Sequence, residues 1–566
     1  MLSIFCGLLL AVSISYSPPV DYEVVLAGNF GEPRPNHFHG GIDVKTGGVK
    51  GKPVYSIADG YVSRITVGLF GFGNAVYITH PDGNTSIYCH LETFSPRIKN
   101  MLKRAQLKQE TNAMDVTLEP TDCPVTEGQF IAISGNSGAS TAPHLHLELH
   151  DTRTWRMKDP LDYLGDFVAD STPPRAHAVK AYPVKGKGVF NGRTTRSIFA
   201  LTSKVIPHHF TAWGLVGFGI WANDYGDEAY NPMGVRQMVL KVDGMEVFHI
   251  NVNDIPVQSN RMVNVWGDYN HFTTYKKWYM KSFVVPGNRL PIIAKNRGLI
   301  DFNEERDYHL EYVLTDAFGN TSTYKFTVTG KRTDISKIAY QMGSNKQKKD
   351  TMVTARKHLY CDKMNTFTTE NVRLVIPQGR LPMDVTLQAK TKRMNKQSNP
   401  STKQNISPLA YTFYGSEMPL LQPAELSLYT DYVEDTTKVY ISRHDGRFVG
   451  GTYSNGWVTT SIRDLGAYYH VDYDDVPPEI TPFQESAWNR TATITFKVTD
   501  KHSGVKIYRG YIDGEFVRFE KMNKSSLVTC KLKNSHVLST GGKHHLRFEA
   551  IDYKDNIDVY ETDIVY

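Results

Sequence analysis

Cysteine is scarce in this chain: five residues in 566, at Cys6, Cys89, Cys123, Cys361 and Cys530. They form no C-x-x-C pair and follow no framework spacing, so a disulfide-built scaffold is not expected. Long apolar runs are also missing. The run from Leu2 to Val12 is too short to span a bilayer. Charge of either sign is in slight excess only, with a net charge of +6 and a pI of about 8.7. No Lys/Arg-rich run interrupts the chain, which argues against nucleic acid as a partner and leaves an anionic polymer compatible. No His-Glu-x-x-His occurs, so a helix-borne metal pair with its own glutamate base is excluded. What remains is ordinary globular composition, 40% hydrophobic and 22% charged, at a length that predicts several domains.

Residues 1–17 (MLSIFCGLLLAVSISYS) resemble a secretory signal peptide with a short apolar core and small residues at Ser13, Ser15 and Ser17 as cleavage sites. The usual basic start is lacking. Cys6 would leave with this segment.

The chemistry is concentrated between His39 and His146. Ala142-Pro-His144-Leu-His146-Leu-Glu148-Leu149 alternates polar and apolar residues, the pattern of a strand. His144 and His146 then share a face, and Leu145, Leu147 and Leu149 take the other. Two neighbouring imidazoles on one face read either as surface residues or as metal ligands, imidazole being the commonest zinc ligand. His39-Gly-Gly-Ile-Asp43 follows Pro33 and Pro35, and its glycines argue for a loop entering a strand, with the backbone passing close to a bound ion. A catalytic zinc site takes three protein ligands and leaves one position open. His39, Asp43 and His146 supply three, and His90 and His144 are left for acid–base work or charge stabilisation. Cys89, beside His90, should point to the opposite face of a strand and behave as a small buried hydrophobe.

These residues stand in a longer series. His39-x-Gly-x-Asp43 is followed by Gly51-x-Pro53-Val54, Asp59-Gly60-x-Val62, Gly71-x-Gly73-Asn74 with Val76, Ile78 and His80, and Tyr88-x-His90-Leu91. Gly128-Gln129-x-Ile131, Gly135-Asn-Ser-Gly138 and His144-Leu-His146-Leu-Glu148 complete it. In this order they resemble the M23 family of zinc metallopeptidases, the LytM/lysostaphin-type peptidoglycan endopeptidases, over residues 25–165. The resemblance implies a LytM-type antiparallel β domain that binds one zinc ion through His39, Asp43 and His146, with His90 and His144 as catalytic histidines. His37 and His80 match no catalytic position and read as structural or surface residues. Ala142 stands where the family commonly has glycine. The segment Glu92–Pro124, with a basic helix-like stretch from Arg97 to Lys108, interrupts the family pattern and is expected to reshape the cleft wall.

The rest of the chain also reads as β. The expected organisation is a signal peptide at 1–17, the peptidase domain at 18–170, a β-sandwich at 175–331, a further sandwich at 332–473 and an immunoglobulin-like domain at 474–566. Ser171-Thr-Pro-Pro174 and Pro477-Pro478 read as linkers, and Lys390–Lys403 as an exposed basic loop. Asp316-Ala-Phe-Gly-Asn320 is echoed by Asp552-Tyr-Lys-Asp-Asn556, so the second and last domains look like distant repeats. Acidic residues in such turns either cap the turn or hold calcium.

The fold class expected is therefore mainly β, a peptidase domain followed by two or three immunoglobulin-like sandwiches. The resemblance implies an exported enzyme of the periplasm, cell envelope or exterior, with stem peptides or crossbridges of peptidoglycan as substrate and wall or envelope partners for the carboxy-terminal domains. A non-catalytic wall-binding activator or scaffold, and a peptidase of secreted proteins, are the alternatives.

Overall fold

The computed structural model describes residues 14–566, apart from 69, 229, 296–297, 336–352, 395–405, 407, 416–417, 431–432, 522–524 and 535–541. The apolar leader Leu2–Val12 lies outside the described residues, as does most of the basic segment Lys390–Lys403. Of that segment, Lys390–Arg393 ends a strand (Val385–Arg393) instead of beginning a loop. Among the described residues no helix is long and apolar enough to cross a membrane.

The amino-terminal domain is built on strands β1 (Leu26–Gly28), β2 (Gly41–Lys45), β3 (Gly60–Val67), β4 (Ala75–Thr79) and β5 (Asn84–Cys89), helix α1 (Pro96–Gln109), and strands β6 (Met114–Thr117), β7 (His144–Asp151) and β8 (Arg156–Lys158). Across the sheet the order is β1-β2-β7-β5-β4-β3-β6, antiparallel throughout, with β8 paired to β7. Alternation decides the faces. Leu145, Leu147 and Leu149 of β7 are fully buried together with Ile42 and Val44 of β2 and Tyr88 of β5. Each such side chain contributes roughly 1.5–3 kcal/mol by leaving water. The opposite face of the same strands carries the polar groups described below. The four described cysteines are free and buried.

The second domain begins with two long strands, β9 (Arg175–Phe190) and β10 (Val205–Asn223), and continues through β11 (Asp254–Pro256), β12 (Asp307–Thr315) and β13 (Thr321–Gly330). Asp243 and Gly244, both with positive φ, turn the hairpin between Gln237–Val242 and Met245–Asn251. The sandwich expected from the alternating runs is closed by its long strands: they remain continuous, and β10 pairs in parallel with β13, so one hydrogen-bonded sheet encloses the core. That core is rich in phenylalanine: Phe190, Phe218, Phe248, Phe302 and Phe326 are all buried in it. The two domains are not separated by their linker. Strand β11 pairs with β8, so the second domain adds a strand to the peptidase sheet. Phe30, Phe38 and Met157 are buried in the same core as Val252, Ile255 and Trp266.

Beyond residue 352 the described chain forms two further cores, each between two sheets. The first lies between a six-stranded and a five-stranded sheet, and the second between two four-stranded sheets. The segment expected to reshape the cleft sits elsewhere. Helix α1 buries Ile98, Leu102 and Gln106, four residues apart on one face, and β6 extends the sheet edge four strands away from β7. The carboxy-terminal end of α1 meets the last domain: Arg509 Nε donates to the Glu110 carbonyl (3.2 Å), Tyr511 OH to Glu110 Oε2 (3.0 Å) and Arg518 to Gln106 Oε1 (3.0 Å).

Phe38 is fully buried and lies 5.9 Å from the Trp266 ring across the domain boundary. Phe38→Ala is expected to destabilise the chain by about 3–5 kcal/mol in denaturant titration. Phe70→Ala, at a residue 80% exposed, should leave stability unchanged.

Candidate metal centre

The register of β2 against β7 sets Asp43 directly opposite His146, and Leu147 opposite Ile42. Directly opposed residues share a face with their Cβ atoms about 5 Å apart. Short polar side chains there must meet. His39, in the loop entering β2, completes the group. His39 Nε2 lies 2.9 Å from His146 Nδ1 and 3.1 Å from Asp43 Oδ1, and His146 Nδ1 lies 2.8 Å from the same oxygen. Ligands of a tetrahedral zinc sit about 3.3 Å apart for bonds of about 2.0 Å. The three atoms match that spacing to within about half an ångström. All three residues are buried.

The glycines of His39-Gly-Gly-Ile-Asp43 make room for β7. A Cβ on Gly41 would lie 2.0 Å from the Leu147 carbonyl oxygen, and one on Gly40 would lie 2.5 Å from Glu148 Oε1. The close approach of β2 to β7, and so the Asp43–His146 pairing, requires both.

Each imidazole is held by its second nitrogen. His39 Nδ1 donates to the Asn29 carbonyl (2.7 Å), so Nε2 presents a lone pair. His146 Nε2 donates to Glu148 Oε1 (2.9 Å), which leaves the lone pair of the neutral ring on Nδ1, and Glu148 Oε2 takes a second hydrogen bond from His150 (2.6 Å). Arg34 pairs with Asp43 Oδ2 at 2.6 Å, leaving Oδ1 to face the histidines. Burial holds His39 down to about 4, in the neutral form. Burial also opposes charge on His146, but the Asp43 and Glu148 carboxylates outweigh it and push that imidazole up to about 9. The pocket between the two carboxylates thus favours one positive charge. Of the clusters of metal-binding atoms among the described residues, this alone contains histidine.

His90 and His144 stand at the rim, with ring centroids 4.9 Å apart. Alternation places His90 opposite Cys89, but His90 adopts φ +60°, which ends β5 and swings the imidazole onto the face of His146, 5.7 Å away. Its Nδ1 donates to the Ser137 carbonyl (2.8 Å), leaving Nε2 free. Burial, then the neighbouring His146 and His144, hold it down to about 4. His144 Nδ1 donates to the Ala142 carbonyl (2.8 Å), and its Nε2 lies 3.3 Å from Asp43 Oδ1. Cys89 is fully buried, and burial pushes its thiol well above the usual range, so it is inert.

Two loops frame this rim. Gly73 and Gly138 touch backbone to backbone, where a Cβ on either would collide with the other loop. Ala139 N donates to the Gly71 carbonyl, and Asn74 N to Ser137 Oγ. His90 N is tied to the Phe72 carbonyl and Leu91 N to that of Asn74. Phe72 stacks 5.9 Å from the His146 ring, and Phe70 stands out into solvent beside it. His37 is exposed and hydrogen-bonds the Pro35 carbonyl, while buried His80 bridges the Asp59 carbonyl and Ser86.

A model described as "Peptidase family M23" matches residues 37–107, which include His39, Asp43 and His90. The chain carries an M23 peptidase domain. An "Uncharacterized metalloprotease" of Haemophilus influenzae is 32% identical over 112 residues, 20% of this chain and 18% of that protein. A "DD-carboxypeptidase/endopeptidase Mpg" of Neisseria meningitidis serogroup B is 33% identical over 111 residues, 19% of each chain. The chain thus spans less than a fifth of the length of these curated relatives. Among solved structures, the catalytic domain of lysostaphin from Staphylococcus simulans is 23% identical, with a TM-score of 0.19, over 25% of this chain and 92% of that one. Outside the M23 domain, residues 356–474 match a model described as "Zu5-like domain".

The groups that the sequence reading missed are those that hold His39, Asp43 and His146 in place: Asn29, Arg34, Glu148 and His150. Period-2 alternation alone sets Glu148 and His150 on the face of His146, so that pair was open to the same argument. Glu148→Gln keeps the shape but removes the carboxylate behind His146. Metal affinity, read by competition with a chelating dye, is expected to fall about 10–100-fold.

Proposed function

We propose that this chain is an exported zinc metalloendopeptidase that hydrolyses peptide bonds in bacterial peptidoglycan. The observation that carries the reading is the convergence of His39 Nε2, Asp43 Oδ1 and His146 Nδ1, with two further histidines at the rim. Two nitrogens and one carboxylate oxygen, each oriented from behind, are the donor set of a catalytic zinc site. Zinc bound there would polarise the scissile carbonyl and acidify a water.

The protein's own groups do the rest. His90 is neutral, with Nε2 unprotonated, and can take a proton at that atom. His144 Nε2 beside Asp43 can carry a proton and donate it to charge that develops on the carbonyl oxygen. Arg34 fixes Asp43 through Oδ2, and the histidines around Oδ1, His39 first, keep that carboxylate ionised against its burial. The relative named as a DD-carboxypeptidase/endopeptidase supports a wall peptide as substrate. The leader-like start of the chain supports export, but the boundary expected at residue 17 falls inside the fold, where Ser17 N donates to the Ile57 carbonyl. Tyr16 is bonded into the domain through Asp82 (2.6 Å) and Asn84 (3.0 Å), so cleavage before Tyr16 preserves the fold.

His39→Ala and Asp43→Ala are expected to lose zinc and hydrolysis together. His90→Ala should keep zinc and lose about 10²–10⁴-fold in turnover. The measurement is zinc per chain alongside release of new amino termini from purified peptidoglycan, with and without chelator. Zinc bound without release from any wall preparation would overturn the enzymatic reading in favour of a wall-binding scaffold.

A further inference from the structure

Three aspartates meet where the M23 domain joins the second domain. Asp170 precedes the Pro173-Pro174 step, Asp224 follows β10, and Asp316 follows β12. One carboxylate oxygen of each lies within 4.8 Å of the others. None of the three has an ion-pair partner among the described residues. Hydrogen bonds satisfy part of the group: Thr172 N donates to Asp170 Oδ1, and Phe318 N and Asn320 N to Asp316 Oδ1. Asn320 Nδ2 ties Asp316 Oδ2 to the Asp170 carbonyl.

Asp224 is the exception. It is 2% exposed, and its Oδ1 accepts no hydrogen bond. Burial, then the neighbouring Asp316 and Asp170, push its carboxyl up to about 8, and burial pushes Asp170 up to about 6. A buried carboxylate oxygen without a donor, facing two more carboxylates, is strongly disfavoured unless a cation sits with it.

We propose that Asp170, Asp224 and Asp316 bind a calcium ion that locks the M23 domain to the second domain. The donors are all oxygen, with no sulfur or imidazole, which selects a hard cation. Calcium accepts six to eight oxygens in loose geometry, so carbonyls and waters can complete the shell. Asp170 is only half-buried, which leaves a route for exchange. The arrangement also recurs in the chain. Asp474, Asp500 and Asp552 meet in the same way beside Pro477-Pro478, and Asn556 Nδ2 bridges the Asp474 carbonyl and Asp552 Oδ2 as Asn320 does here. The loop that leaves Asp224 reaches the zinc cluster's support: Asn231 donates to the Ala27 carbonyl, and Gly234 exchanges two hydrogen bonds with the Asn29 side chain.

The test is calorimetric titration of CaCl2 into the full-length, zinc-loaded protein, together with its melting temperature. Saturable binding and a rise in Tm are expected. Asp224→Asn should abolish the binding and the share of the Tm rise that belong to this site, while its calcium-free Tm equals or exceeds that of the wild type, because the amide removes a buried carboxyl that is costly to charge. Asp170→Asn, at a half-buried position, should weaken calcium binding at least tenfold, and Asp500→Asn should leave the Asp224-dependent binding intact. No response to millimolar calcium, or a response that Asp224→Asn leaves unchanged, would overturn the proposal.

Discussion

Two imidazoles and a carboxylate packed within about 3 Å inside a protein do not hold that arrangement unaided. Each ring must show a lone pair to the centre, and a ring free to turn would present a proton or pair with Asp43 instead. The order of this site comes from the groups behind it: the Asn29 carbonyl on His39, Glu148 on His146 and Arg34 on Asp43. Glu148 is in turn held by His150. Asn29 is held from outside the domain, its side-chain amide closing a pair of hydrogen bonds with the backbone of Gly234. The position of His39 thus rests on a loop some two hundred residues further along the chain.

Much of the site was legible because the strand is a strict ruler. Alternation across His144–Leu149 separates the histidine face from the core face with no knowledge of the fold, and the ordered motifs set His39, Asp43, His90 and His146 in one series. The failures have physical causes as well. His90 could not be placed by alternation because the chain leaves the strand at that residue with positive φ. The part that the glycines beside His39 play in admitting β7 had no local sign, because that strand lies a hundred residues away in sequence. Arg34 and Asn29 carry no pattern that spacing could reveal, since their roles depend on tertiary contact.

The architecture after the first domain was readable as β but not in its connections. Period-2 patterns specify strands and their inward residues, and the aromatic cores formed accordingly. Which strands pair, and whether one sheet curls or two sheets stack, depends on long-range pairing that leaves no local trace. The interrupting segment around α1 shows the same limit. Its basic, amphipathic composition pointed to a helix, yet nothing in it revealed that Gln106 and Glu110 dock on residues 509–518 and so link the first domain to the last.

The pairing of β11 with β8 has a bearing on how such a protein can change over time. A strand contributed by one unit to the sheet of another makes the two inseparable by recombination at the proline step between them. A cut there would leave β8 as an exposed edge and uncover Phe38 and Met157, the kind of surface that recruits another copy of itself. The first two units are therefore a single heritable piece. The later domains share no hydrogen-bonded strand with the first two among the described residues, and they are the ones that can be exchanged.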